Sequence, residues 1–134
     1  MNTRMVAVVI TSILLGTLVA GNLSVLAQEA SPSLVKDVSI VPNASTMGDK
    51  AFSPNPIEVK VGEGITWSND DTQIHTVTSG ISTINDTANA GPDGVFDSGV
   101  MNPDATFDFV FDTAGTYPYY CTLHPQMVGT VNVS

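Results

Sequence analysis

The sequence predicts an all-β fold, a sandwich of about seven or eight short strands in two layers sharing one core, on three observations. Apolar and polar residues alternate over several short runs. Gly, Pro, Asn and Asp punctuate the intervals between them. Nowhere does a helical period persist for the ~10 to 12 residues a surface helix needs.

LVKDVSIV, from Leu34 to Val41, is the first candidate strand, and Pro42 to Lys50 reads as a mobile loop. The clearest alternation is IEVKV, where Ile57, Val59 and Val61 form a dry face against Glu58 and Lys60. Gly62-Glu63-Gly64 then turns the chain, Ile65 and Trp67 resume the alternation, and Asn69-Asp70-Asp71 ends it, which predicts a hairpin. A third run, HTVTS, starts at His75 and precedes a long Gly-, Asn- and Asp-rich crossing from Gly80 to Gly94. In TFDFVF, Phe107, Phe109 and Phe111 share one face, and such aromatic bulk needs a facing sheet. TYPYYC follows the Asp112–Gly115 turn. Pro118, with no N–H for a ladder, marks this run as an edge or irregular strand. GTVNV closes the chain with Val131 and Val133 on one side. Trp67 and the three phenylalanines read as core. Tyr117 and Tyr119 share Cys121's parity and should exclude water beside it, with Tyr120 on the opposite, exterior face.

Of 134 residues, 13 are acidic and four basic, a net charge of −9. That sign excludes a nucleic-acid binder, which needs concentrated Lys and Arg against phosphate, and disfavours anionic membrane surfaces. A single cysteine excludes an intrachain disulfide framework and a CxxC redox pair. Arg4 followed by the mostly apolar Met5–Gly21 stretch reads as a secretory signal peptide ending at Ala27. Residues 1–27 are thus a leader, 28–33 a short linker and 34–134 the folded domain. Cleavage leaves 107 residues, three lysines (Lys36, Lys50, Lys60) and a charge of −10, enough for one modest core. The rival is an uncleaved leader, whose 17 apolar-rich residues nearly span a bilayer and would tether the same domain to the outer face. No cysteine near the leader offers a lipidation site. Asn43-Ala44-Ser45 and Asn85-Asp86-Thr87 are sequons, informative only in a glycosylating host.

The chemistry concentrates in CTLHPQM, where Cys121, His124 and Met127 follow at three-residue steps. The other histidine, His75, lies 46 residues upstream of Cys121. Taken singly, Cys121 reads as a buried small hydrophobe and His124 as a loop residue. Taken jointly, with His75 and the strands around them, they read as a metal site. A strand end and a short loop stiffened by Pro125 can turn the three side chains to one point, and a sandwich can bring His75 beside them. Two imidazoles and a thiolate are three strong donors and a thioether a weak axial one, a set that suits copper in both oxidation states. Zinc would more usually complete its shell with a carboxylate, a second cysteine or a water, and calcium or magnesium would need oxygens. The axial place stays open between Met127 and a water, the neighbouring Gln126 or a backbone carbonyl.

AFSPNPIEVKVGEGITWSNDD, HTVTSG, VFDSG and GTYPYYCTLHPQMVGTVNV, in this order from Ala51 to Val133, resemble the cupredoxins, the type 1 blue-copper proteins, and within them the plastocyanin and amicyanin group. The short CxxHxxM loop is similar to that of amicyanin. The resemblance implies a two-sheet Greek-key sandwich holding one type 1 copper ion, with His75, Cys121 and His124 as equatorial ligands and Met127 as the axial one. It implies binding through the Nδ1 atoms, with the outer nitrogen of His124 near the surface as the electron port and Leu123, Pro125 and Met127 in an apolar docking rim. The chain departs from the plastocyanin pattern at Gln73-Ile74-His75-Thr76, where Pro-His-Asn is common. Thr76 is expected to serve instead, its N–H on the Cys121 sulfur and its hydroxyl on the neighbouring loop.

The function this implies is that of an exported, monomeric one-electron carrier in the periplasm or on the outer face of the cytoplasmic membrane, exchanging electrons with redox proteins. It is not an enzyme: no catalytic acid–base pair, nucleophilic triad or second copper cluster is visible. Cys121 acting as a nucleophile with His124 would leave Met127 and His75 unused. The alternatives are a copper-binding or delivery module without rapid electron transfer, and a structural assembly domain. Asp70, Asp71, Asp93 and Asp97 are read as solvated surface, or else as a negative rim steering a basic partner.

Overall fold

Where the period-two alternation is strong a strand forms with its dry side towards a second sheet, although the IEVKV run ends as a strand at Val59 and leaves Val61 exposed. The structure is a computed structural model that describes residues 34–134; the leader and the linker lie outside the described residues. β1 (Val35–Ile40), β2 (Phe52–Ser53), β4 (Gly64–Asn69) and β7 (Thr106–Val110) form one sheet in the order β2-β1-β4-β7. β3 (Ile57–Val59), β5 (Thr78–Ile81), β6 (Gly91–Asp97), β8 (Gly115–Tyr120) and β9 (Val128–Val133) form the other, in the order β3-β9-β8-β5-β6. The predicted all-β, two-sheet sandwich is therefore observed, with nine strands among the described residues. The two beyond seven are the two-residue β2 and β6, whose first four residues lie in the stretch read as a crossing.

The core is the shared dry face. Val38 and Ile40 of β1 and Ile65 and Trp67 of β4 are fully buried on one side, and Tyr119 of β8 and Val131 of β9 on the other. Rings interlock across the gap. Trp67 meets Tyr119 edge-on at a centroid distance of 5.6 Å, and Phe52 meets Tyr119 at 4.7 Å, a geometry that places positive ring edges against negative faces. Phe107, Phe109 and Phe111 share a face as expected, with Phe111 buried and the other two half-buried.

Four expectations are corrected. The hairpin between IEVKV and GITWSN does not form. β3 runs parallel to β9 in one sheet, and β4 lies between β1 and β7 in the other. The Gly62 N–H bonds the Phe111 carbonyl at 2.7 Å and the Val61 N–H bonds the Ser134 carbonyl at 3.0 Å, so this turn carries the chain between sheets. Gly62 has φ +94°, a conformation costly for a side-chain-bearing residue. Alternation reports a dry face, and both faces here are dry towards the same core, so it could not name the strand's partner.

Pro118 is not on an edge strand, since β8 is the middle strand of its sheet. The proline is tolerated because β5 pairs only with Tyr119 and Tyr120, which leaves Pro118 a single neighbour, Thr130 of β9. Tyr120 does take the opposite parity from Tyr119, but that face is closed. It is 6% exposed opposite Thr78. Burial first, and the nearby Asp97 charge second, raise its phenol pKa. The Pro42–Lys50 loop is ordered by two 3₁₀ turns, Ala44–Thr46 and Gly48–Lys50, with Ala44 fully buried.

Candidate metal centre

Two segments build the site. His75 lies between β4 and β5, three residues ahead of the strand that the HTVTS run becomes. It is held by a two-way backbone bridge to Met101, with the His75 N–H on the Met101 carbonyl at 3.2 Å and the return bond at 2.8 Å. The Asn69 amide braces this segment by donating to the carbonyls of Gln73 (2.8 Å) and Met101 (3.1 Å). Cys121 follows β8 directly. The loop after it is wound tight: the His124 N–H bonds the Cys121 carbonyl, the Met127 N–H bonds the His124 carbonyl at 2.9 Å, and the Cys121 N–H bonds the Met127 carbonyl at 3.1 Å. Further tethers are the Ser82 hydroxyl on the Pro125 carbonyl and the Gln126 amide on the Ser45 carbonyl.

These constraints bring His75, Cys121 and His124 together, their donor atoms all within 4.8 Å of one another. Both Nδ1 atoms stand 3.8 Å from the Cys121 sulfur. The histidine rings are inclined at 57° with centroids 5.0 Å apart. His75 and Cys121 are fully buried and His124 is half-buried, so one imidazole alone reaches the surface. Met127 is also fully buried, with its backbone bonded to both Cys121 and His124. It is therefore not available to the docking rim that the resemblance implies, whereas Leu123, 44% exposed, and the half-buried Pro125 are accessible. The winding of the loop explains the correction, because the last turn before β9 tucks the methionine under the loop.

The donor set fits copper. Three donors of mixed softness, one anionic when the thiol ionises and two neutral, converge in a mostly dry place, and no carboxylate oxygen is among them. The sulfur is further oriented by the Thr76 N–H at 3.3 Å. The Thr76 hydroxyl accepts the Thr122 N–H at 2.8 Å and lies 3.1 Å from the Thr122 hydroxyl. Thr76 thus joins the histidine segment to the cysteine loop, as expected of it. Thr78 extends the chain of hydroxyls, 3.1 Å from Thr76 and 3.2 Å from the exposed Asp97 carboxylate. Thr76→Val should remove these contacts while keeping the shape of the side chain, and leave the Thr122 N–H without its acceptor. The apo domain should lose about 1–2 kcal/mol, read as a lower urea midpoint at unchanged slope; an unchanged midpoint would show that the hydroxyl does not hold the loops.

The acidic residues separate. Asp70, Asp93 and Asp97 are exposed, but Asp71 is 5% exposed and belongs neither to solvated surface nor to a rim. Its carboxylate meets the Nε2 of His75 at 2.9 Å and accepts the backbone N–H groups of Asn43 (3.0 Å), Ala44 (3.2 Å) and Thr72 (2.7 Å). Burial alone would raise its pKa, yet these bonds, His75 first, together hold it down to about 2. Sequence reasoning missed this contact. Its one signal was an acid four residues before the histidine, and the adjacent Asp70 blurs even that.

Comparison with known proteins agrees with this geometry. The model of the copper binding proteins of the plastocyanin/azurin family matches residues 40–134. Amicyanin of Paracoccus denitrificans is 32% identical over 99 residues, 74% of this chain and 68% of that protein. Plastocyanin of Scenedesmus fuscus is 32% identical over 100 residues, 72% of this chain and 99% of that protein. Among solved structures, a purple cupredoxin from Nitrosopumilus maritimus superposes with a TM-score of 0.62 at 32% identity, covering 74% of this chain and 99% of that one. A Cu(I) form of an amicyanin mutant superposes at 0.53 and 27% identity, covering 81% and 88%. These relatives are electron carriers and not enzymes, and the His75, Cys121 and His124 cluster is the donor set such carriers require. With sandwich, donors and relatives in agreement, this chain belongs to the plastocyanin/azurin family of copper-binding proteins, as a type 1 copper electron-transfer protein.

Proposed function

We propose that this protein is an exported, diffusible carrier that takes an electron from one redox protein and delivers it to another through the His124 end. The observation that carries the reading is the asymmetry of the two imidazoles: His75 is fully buried and His124 half-buried, beside the exposed Leu123. Bound copper supplies a one-electron couple, Cu(II)/Cu(I). His75, Cys121 and His124 hold the ion, with Met127 as the weak axial donor. The burial of His75 and Cys121 keeps water from the sulfur, and the wound loop limits how far the donors move when the charge changes. Export rests on the leader composition of residues 1–27, with the periplasm or the outer face of the cytoplasmic membrane as the destination. Among the described residues no helix is long and apolar enough to cross a membrane.

Two measurements test the finer parts. Met127→Leu nearly conserves volume, so the fold should survive. The reduction potential should rise, with the preference for Cu(I) strengthened on the order of tenfold. An unchanged potential and spectrum would reduce Met127 to packing. The charge of −10 after cleavage, with Asp70, Asp93 and Asp97 exposed, favours a basic partner. Its association rate should fall about tenfold as ionic strength rises from about 0.01 to 0.15 M, where the Debye length shrinks from about 30 to 8 Å. A flat series in stopped flow removes the steering role.

A further inference from the structure

A buried carboxylate with four donors around it, one of them a histidine of the metal centre, is more than a surface acid that happened to fold inward. Asp71 could have capped the Ala44–Thr46 turn from the outside. Instead it is 5% exposed, with its Oδ2 shared between the Ala44 N–H and the Nε2 of His75. Three backbone N–H groups, of Asn43, Ala44 and Thr72, already donate to this carboxylate, so its oxygens are acceptors here and the shared hydrogen is assigned to Nε2. A neutral imidazole carries one ring proton, and with that proton on Nε2 the Nδ1 facing the Cys121 sulfur is a bare lone pair.

We propose that Asp71 is a positioning residue of the metal centre: it fixes His75 in the tautomer that presents Nδ1 to the ion, and it adds a buried negative charge that favours Cu(II) over Cu(I). The inference rests on the copper reading given above. Two physical effects act in the same direction. Sharing the Nε2 proton with an anion makes the imidazole a stronger donor, which the more highly charged ion exploits more. The carboxylate's own field, one imidazole away and largely out of water, stabilises the higher positive charge. The same side chain ties the Asn43–Ala44 turn to the histidine segment, and the Gln126 amide on the Ser45 carbonyl ties that turn to the cysteine loop. Asp71 therefore also fixes where His75 stands relative to the other donors.

The experiment combines a variant with a measurement on the unaltered protein. Asp71→Asn keeps an oxygen acceptor and the size of the side chain and removes the charge. In the copper-loaded protein the preference for Cu(II) should weaken about tenfold, an upward shift of about 59 mV in the one-electron potential, read by voltammetry. A folded, copper-loaded D71N at the wild-type potential overturns the proposal. Because D71N could fail to fold, the tautomer is read independently in wild-type apo protein by long-range ¹H–¹⁵N correlation of the His75 ring at neutral pH. A proton on Nε2, slow to exchange with solvent, is the expected result; a proton on Nδ1 overturns the proposal whatever the variant does. Wild-type protein that takes up no copper overturns the copper reading itself, and the apo tautomer still shows whether Asp71 sets the histidine.

Discussion

Cys121→Ser should abolish the sulfur-to-copper charge-transfer band while leaving a folded domain. The band needs a thiolate sulfur bound to the ion, and serine offers a neutral hydroxyl that is harder and ionises far less readily. Copper affinity should fall by at least a hundredfold, on the order of 3 kcal/mol or more, since one of three strong donors is lost and the one anionic donor with it. The fold should persist. The side chain is fully buried but small, the Thr76 N–H can still donate to an oxygen in that place, and the backbone bonds that wind the loop belong to Cys121, His124 and Met127 main-chain atoms. Copper titration followed by visible absorption, with the urea midpoint of the apo variant measured alongside, separates the two effects. A retained band would show that the sulfur is not the donor. Loss of the band together with loss of the fold would show that Cys121 serves chiefly as a packed core residue.

How much of this site the sequence disclosed depends on how far each contact reaches along the chain. Cys121 and His124 were legible as a pair because their grouping is local, with Met127 in the same short loop. A three-residue step closed by a proline loop is a geometric statement before any fold is known. His75 was legible for a weaker reason, that it is the other histidine, and its approach to the sulfur follows from β5 lying beside β8. Asp71 was not legible. It and Asp70 are the same residue type in adjacent positions, yet one is exposed and the other buried, and the difference is made by the Asn43–Ala44 turn arriving from 28 and 27 residues away. Thr76 was predicted from its place next to the histidine, but the extension through Thr78 to Asp97 was not, because Asp97 lies on β6. The strand errors share a cause. Period-two patterning tells which side of a strand is dry and is silent on which strand lies next to it, so the IEVKV–GITWSN hairpin and the edge assignment of Pro118 both failed at pairing, while the burial of Ile57, Val59, Ile65 and Trp67 followed the pattern.

β6 is the most consequential of these omissions, and it carries the largest expected effect on stability. GPDGVFD has two glycines, a proline and two aspartates in seven residues, a composition that reads as a turn. Its one inward side chain, Phe96, is 5% exposed and stands among five other aromatic rings. Its centroid lies 5.5 Å from Trp67, 5.1 Å from Phe109, 5.8 Å from Phe111, 6.4 Å from Phe107 and 6.2 Å from Tyr119. Phe96 therefore touches β4 and β7 of one sheet and β8 of its own, bridging the layers alongside the Trp67–Tyr119 and Phe52–Tyr119 contacts. The strand is held in place by a close approach that glycine alone allows. Gly80 has φ +131°, and a Cβ there would run into the Gly91 carbonyl and the Pro92 Cα. Phe96→Ala should cost about 3–5 kcal/mol, the transfer energy of the ring plus a cavity that five rigid neighbours cannot collapse into. A domain of this size has about 5–15 kcal/mol in all, so the variant should lose a large fraction of its stability. Phe109→Ala supplies the comparison, because Phe109 is half-buried and its site opens to solvent; its cost should be about half as large. Urea midpoints of the two apo variants decide the matter. If Phe96→Ala proves no more damaging than Phe109→Ala, the Trp67–Tyr119 and Phe52–Tyr119 contacts hold the layers without it, and β6 is the covering loop its composition suggests.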